Sequence, residues 1–175
     1  MAGCCWMMAC ENDYNKIQDL QRKKLSVDEV KEVESYLSQA GVVKAKLTSP
    51  FMLRYYDSVP RVEFPRKLHV DFYNDSLVME SYLDAKRGYY YEQQNRVVLN
   101  DSVVVIRING DTLKTQELFW DQNLHKLFTT SDVEIRQKTK TIFGKGFESD
   151  EQLRNFTIDS VKGVLLVGDS KFAGN

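Results

Sequence analysis

From Val42 onward, large apolar residues recur at every second position in one segment after another. Side chains two apart share a face only in an extended strand, so this period demands sheet. Phe51, Leu53 and Tyr55 alternate with Met52, Arg54 and Tyr56, and Leu68, Val70 and Phe72 alternate with His69, Asp71 and Tyr73. Leu77, Met79, Ser81, Leu83 and Ala85 form a further stripe, and strands are expected over 89–92, 96–99, 103–108, 112–120, 127–129, 133–138, 141–147, 155–158 and 161–167. Turn signals separate them at roughly 8–12-residue spacing, the interval of an antiparallel sandwich or open barrel. The strongest is Asn109-Gly110, expected as a type I′ hairpin turn because both residues tolerate positive φ. No helical pattern intervenes between these strands, which excludes parallel βαβ units. The expected class is all-β.

One segment speaks for helix. Ser26-Val-Asp-Glu29 satisfies the capping-box pattern, Val27, Val30, Val33 and Leu37 follow at helical spacing, and Gly41 supplies a stop. Taken alone, these residues predict a helix over about 27–38.

The 175 residues suffice for one domain with its own core. Lys and Arg number 24 against 25 Asp and Glu, so the net charge of −1 leaves no basic footprint for nucleic acid. All cysteines lie at Cys4, Cys5 and Cys10, so no disulfide, thiolate nucleophile or thiolate metal site is expected in the rest of the chain. The opening ten residues are almost wholly apolar and stop at Glu11-Asn12-Asp13. They read as the remnant of a lipoprotein signal, with Ala9 before a lipidated Cys10, or as the remnant of a membrane anchor. Residues 11–31 then form a polar tether and residues 32–170 the folded domain. Either anchor places the protein outside the cytoplasm, held at a membrane.

Chemistry is sparse. His69 and His125 have no metal-type partner at nearby spacing and read as surface residues, and no metal or cofactor is expected. No nucleophile elbow or phosphate-cradling loop occurs, and Gly144-Lys-Gly146 reads as a β-bulge or a close backbone approach. Glu80, Glu117 and Glu148, the carboxylates a glycosidase would need, fall at solvent-face positions. No catalytic residue is assigned. The apolar stripes instead suit a concave interior able to hold lipid tails.

Several motifs in fixed order carry a resemblance. They are Ser38-Gln-Ala-Gly41, Lys46-Leu-Thr48, Tyr55-Tyr-Asp57, Phe64-Pro65 ahead of Val70-Asp-Phe72, Thr112-Leu-Lys-Thr-Gln-Glu-Leu-Phe-Trp-Asp-Gln122 after Asp111, Gly144-Lys-Gly-Phe-Glu-Ser-Asp150, and Phe156-Thr-Ile158 with Gly163. Together, over about residues 35–167, they resemble the LptC family, the periplasmic component of the lipopolysaccharide export (Lpt) system, in its Bacteroidetes form. The resemblance implies an open, twisted antiparallel β-jelly-roll of the OstA/LptA/LptC kind, with no enzymatic activity. It implies lipopolysaccharide as cargo, the inner-membrane Lpt ABC transporter on one side, and a periplasmic LptA/OstA-like bridge protein on the other. It also implies extended chain around Ser38–Gly41, so strand is expected by about Val33 with at most one short helix before it.

Family lipid contacts run along the interior, and alternation assigns Phe51, Leu53, Tyr55, Leu68, Val70, Phe72, Leu83, Val104, Ile106, Ile108, Leu118, Trp120, Val133, Ile135, Phe156 and Ile158 to it. The edge strand with Val161, Val164, Leu165 and Val167 is assigned to the bridge protein. Two other readings fit an aromatic-rich β-protein. A carbohydrate-binding module would need exposed rings in a row, for which Tyr89-Tyr-Tyr91 is the candidate, and a structural envelope protein would have a filled interior.

Overall fold

Alternation becomes twelve strands in one antiparallel sheet. The computed structural model describes residues 27–166. In chain order the strands are β1 (Val27–Gln39), β2 (Val42–Tyr55), β3 (Arg61–Phe64), β4 (Leu68–Tyr73), β5 (Met79–Ala85), β6 (Arg87–Tyr91), β7 (Arg96–Arg107), β8 (Thr112–Asp121), β9 (Lys126–Arg136), β10 (Lys140–Asp150), β11 (Phe156–Thr157) and β12 (Ser160–Leu166). Among the described residues the sole helical element is a 3-10 turn, Glu92–Gln94. The all-β jelly-roll expectation holds.

Two long strands convert the sheet into a curled body. The first part of β2 pairs with β4 and its last part with β3, while β7 pairs first with β6 and then with β5. Since β3 also pairs with β6 and β4 with β5, the ladder β2–β3–β6–β7–β5–β4 closes on itself. From this ring β1 extends along the free side of β2, and β8, β9 and β10 fan out from β7. β11 and β12 both lie on the outer side of β10, so β1 and β12 are open edges.

Side chains of one phase meet inside. One inward row runs Leu47, Val70, Leu83, Val105, Leu113, Ile135 and Ile142 across seven strands. A second runs Arg54, Val62, Tyr90, Val97, Trp120, Leu127 and Ser149. Leu68, Leu118 and Leu127 are wholly buried, each contributing roughly 1.5–3 kcal/mol relative to an exposed position.

Three local expectations need correction. Residues 27–38 are strand, not helix: β1 pairs with β2 from Val27 to Gln39, with Glu32 alone unpaired, and it begins inside the segment assigned to the tether. Val33 and Leu37 are four apart, which is one helical turn but also an even interval, so their spacing never separated the two readings. At Asn109-Gly110 only Gly110 has positive φ (+92°), and Gly110 N–H donates to Arg107 C=O while Arg107 N–H donates to Asp111 C=O. That is a three-residue loop closed by a glycine bulge, not type I′. The Gly144–Gly146 reading holds in both forms. The ladder to β9 is interrupted between Lys145 and Phe147, Gly146 has φ +73°, and a Cβ on Gly144 would stand 2.9 Å from Ser160 O. Cys10, the remainder of the tether and Val167 lie outside the described residues.

Candidate functional site

The site is a cavity of about 380 Å³ beneath β1, within the usual range for small-ligand sites. Val33 and Leu37 of β1, Ala45, Leu47 and Met52 of β2, and Val62 and Phe64 of β3 form much of its wall. Val70, Tyr90, Val97 and Trp120 close the far side. Glu34, Ser35, Tyr36, Arg54 and Gln122 complete the lining with polar groups.

Curling brings β1 and β8 to opposite walls, yet no backbone ladder joins them. The gap is approached by side chains, where Gln39 Nε2 lies 3.4 Å from His125 Nδ1. The Trp120 ring meets Phe72 edge-on at 5.3 Å between centroids and marks the floor of the cavity. Its Nε1–H donates to Glu151 Oε1 at 2.7 Å, and His125 Nδ1 stands 3.5 Å from Glu151 Oε2.

At the mouth, Arg54 donates to Glu92 and Tyr56 O–H donates to Asp28 Oδ2 at 2.7 Å. The hydrogen bond to Glu92 holds the Arg54 guanidinium above its ordinary pKa, and the bond to Asp28 raises that of the Tyr56 phenol. Burial pushes the Tyr90 phenol up, so the ring facing the cavity stays neutral. An apolar wall with fixed, paired polar groups at its rim suits an aliphatic guest with a polar head.

The assigned interior residues divide into groups. Leu68, Val70, Phe72, Leu83, Leu118, Trp120, Val133 and Ile135 are buried in the core, and Phe156 and Ile158 pack against it. Only Val70 and Trp120 of the whole set line the cavity. Phe51, Leu53 and Tyr55 lie on the opposite face from Met52 and Arg54, where Arg66 covers the Phe51 ring at 5.3 Å and Arg61 the Tyr55 ring at 4.0 Å. These guanidinium roofs let large rings face outward without a bare apolar surface.

Val104 and Ile106 also face outward, opposite Asp84 and Tyr82, while Val103 and Val105 fill the core. Val103-Val-Val-Ile106 contains no alternation, so its phase could not be read, and the bulge at Asp101 and Ser102 (φ +64° and +59°) resets it. Ile108 sits in the turn and is 71% exposed.

Sequence reasoning missed the β1, β3 and β6 walls. Val62-Glu-Phe64 did alternate, but four residues are a faint signal, and Val33 and Leu37 were read in helical phase. In β6, Tyr90 points inward while Tyr89 and Tyr91 share the outer face, so the three tyrosines do not form one row. His69 lies on the outer face between Asp71 (3.0 Å) and Asp84 (3.1 Å). Among the described residues no group of three or more His, Cys, Asp or Glu is placed to hold a metal ion, and no helix is long and apolar enough to cross a membrane.

A curled sheet around an apolar cavity, with open strands at both ends, defines a β-jelly-roll binding module. The family model described as Lipopolysaccharide-assembly, LptC-related matches residues 2–166, and the chain belongs to that family. No curated protein matches the chain. The LptC family acts in lipopolysaccharide transport, in the periplasm and in association with the inner membrane and the Lpt transporter system. Its members are transport and binding components, not enzymes.

Proposed function

We propose that this protein takes lipopolysaccharide from the inner-membrane ABC transporter and passes it, acyl chains inward, to a periplasmic LptA/OstA-like bridge protein. The apolar cavity between β1, β2 and Trp120 carries this reading. Each acyl chain covered there gains about 25 cal/mol per Å² removed from water. Transfer from one apolar groove to the next is then nearly neutral, and the driving energy comes from the transporter's ATPase.

The two open edges support relay by strand addition, in which main-chain hydrogen bonds join neighbouring jelly-rolls. Val161, Val164 and Leu165 are between 50% and 63% exposed on β12, and this strand, with Val167 next to it in the sequence, is the proposed bridge-protein side. Anchoring through the N-terminal segment, with Cys10 as the lipidated residue, would keep the protein at the inner membrane.

The test is a diazirine amino acid at Met52, which faces the cavity, and at its outward neighbour Phe51, in cells making lipopolysaccharide. A lipopolysaccharide adduct at 52 and none at 51 is expected. Absence of adducts at both sites, with the protein folded and membrane-bound, would leave a filled structural module or a sugar-binding one as the account.

A further inference from the structure

The chain between β10 and β11 does not leave the body. Residues 150–155 turn back over the sheet and touch it at three places, two of them in the core and one at the solvent-side Glu80. Glu151 is buried and accepts the Trp120 indole N–H at 2.7 Å. Leu153, 6% exposed, joins the core and borders a small depression together with Leu113, Ile135, Phe147 and Phe156. Arg154 reaches Glu80 at the start of β5 with one nitrogen 2.7 Å from each carboxylate oxygen. The loop thus forms a strap running from the cavity floor at Trp120 to the far wall at β5.

Its position matters for any guest. Trp120 is the one cavity residue on β8, and the row across the sheet from it runs through Leu127 and Ser149 to Phe156 on β11. On that side the Trp120 ring is held by Glu151 of the strap and met edge-on by Phe72. The cavity, at about 380 Å³, is also too small to take a whole multi-chain glycolipid, so the enclosed state is not the fully loaded one.

The strap is built to be released. Leu153 has φ +56°, a left-handed conformation costly for a branched side chain. Its own turn is self-contained, with Leu153 N–H and Arg154 N–H donating to Asp150 and Ser149 Oγ donating to Asn155 C=O. It can therefore swing as a unit once its three outward contacts part. Of these, Arg154–Glu80 is the exposed one, with side chains 53% and 24% accessible.

We infer that residues 150–155 are a gate between the cavity and the C-terminal edge, closed by Glu151 on Trp120 and latched by Arg154 on Glu80. The inference rests on the lipid path proposed above. Acyl chains entering under β1 stop at Trp120 until the strap lifts, which limits onward transfer to moments when the latch is open. A partner pairing with the edge beside Phe156 is well placed to open it.

Arg154→Ala tests the latch, with Glu80→Gln as a second route to the same break. Hydrogen exchange of the lipid-free protein is read first. Amides of 151–154 should exchange about fivefold faster in both variants, while those of β8 and β9 stay as they were. Unchanged exchange at 151–154 overturns the gate whatever the lipid does. Diazirine probes at Met52 and Phe156 are read second, with purified lipopolysaccharide. The Phe156 adduct should rise several-fold in Arg154→Ala while the Met52 adduct is constant. A constant Phe156 adduct beside a normal Met52 adduct overturns the gate and leaves the lipid path intact. Loss of the Met52 adduct in the unaltered protein overturns the lipid path itself, and with it a lipid gate.

Discussion

Leu47 and Met52 both line the cavity, although they are five positions apart, an odd interval that puts two residues of an unbroken strand on opposite faces. The change happens at Pro50, and β1 makes the matching change at Glu32, which has no register partner and sits at φ +51°. Val33 stands opposite Ser49 on one side of the crossing and Val30 opposite Met52 on the other, and Val33 and Met52 both line the cavity. The double crossing bends the β1–β2 ribbon around its guest site.

Glu32 bears a left-handed backbone that costs a branched-at-Cβ or long residue roughly 1–2 kcal/mol relative to glycine. Glu32→Gly should therefore be neutral or stabilise by up to about 1 kcal/mol after its own entropy cost. Lys31→Gly, one residue away without positive φ, should lose about 0.5–1 kcal/mol. Urea midpoints of the two variants, at equal m-value, decide the matter.

The assignment of the interior phase is tested by truncation. Leu118, at 0% exposure, should lose about 3 kcal/mol when changed to Ala. Ile108→Ala, in the exposed turn, should change stability by less than about 0.5 kcal/mol. Equal losses at the two positions would mean that the β7–β8 loop is packed in solution.

Gly144 allows β12 to approach β10, because an added Cβ would meet Ser160 O at 2.9 Å and the Ile158 methyl more closely still. Gly144→Ala should cost about 1–3 kcal/mol and accelerate hydrogen exchange along β12. Gly163→Ala, with open space at its Cβ, should leave both unchanged.

Asp121 ends β8 and holds the following turn, accepting from Arg96 at 2.9 Å and from the Asn123 and Leu124 N–H groups. The Arg96 guanidinium, helped by those amides, holds its carboxyl below the usual value. A depressed folded pKa means stability that is present above the unfolded carboxylate range and lost as pH falls through the folded value. Denaturation as a function of pH should show Asp121→Asn less stable at neutral pH, with the gap closing in acid. A gap that persists at low pH would show that charge is not what Asp121 contributes.

Much of the sheet was legible because Leu68, Val70 and Phe72, or Leu83 and Ala85, offer alternation with polar partners that fixes both period and phase. The phase was lost where that contrast vanished. In Val103-Val-Val-Ile106 every residue is apolar, and in 51–56 the larger rings face out under arginines contributed by residues 61 and 66. Long-range partners of this kind leave no mark in a local window. The cavity suffered most, since its wall is assembled from β1, β3 and β6, strands whose patterns are short or doubly readable. The strap was invisible for a further reason: Glu151 and Leu153 are buried by tertiary folding of a hairpin tip that reads as ordinary turn.

The closed ladder of β2, β3, β6, β7, β5 and β4 has a mechanical meaning of its own. Slipping any one strand by a residue would turn its whole stripe inside out, and in a hoop no strand can slip unless its neighbours follow. The registers of β2 to β7 are therefore fixed as one set. β1 and β12, each paired along one side alone, carry no such constraint, so a change of register there would disturb one neighbour only.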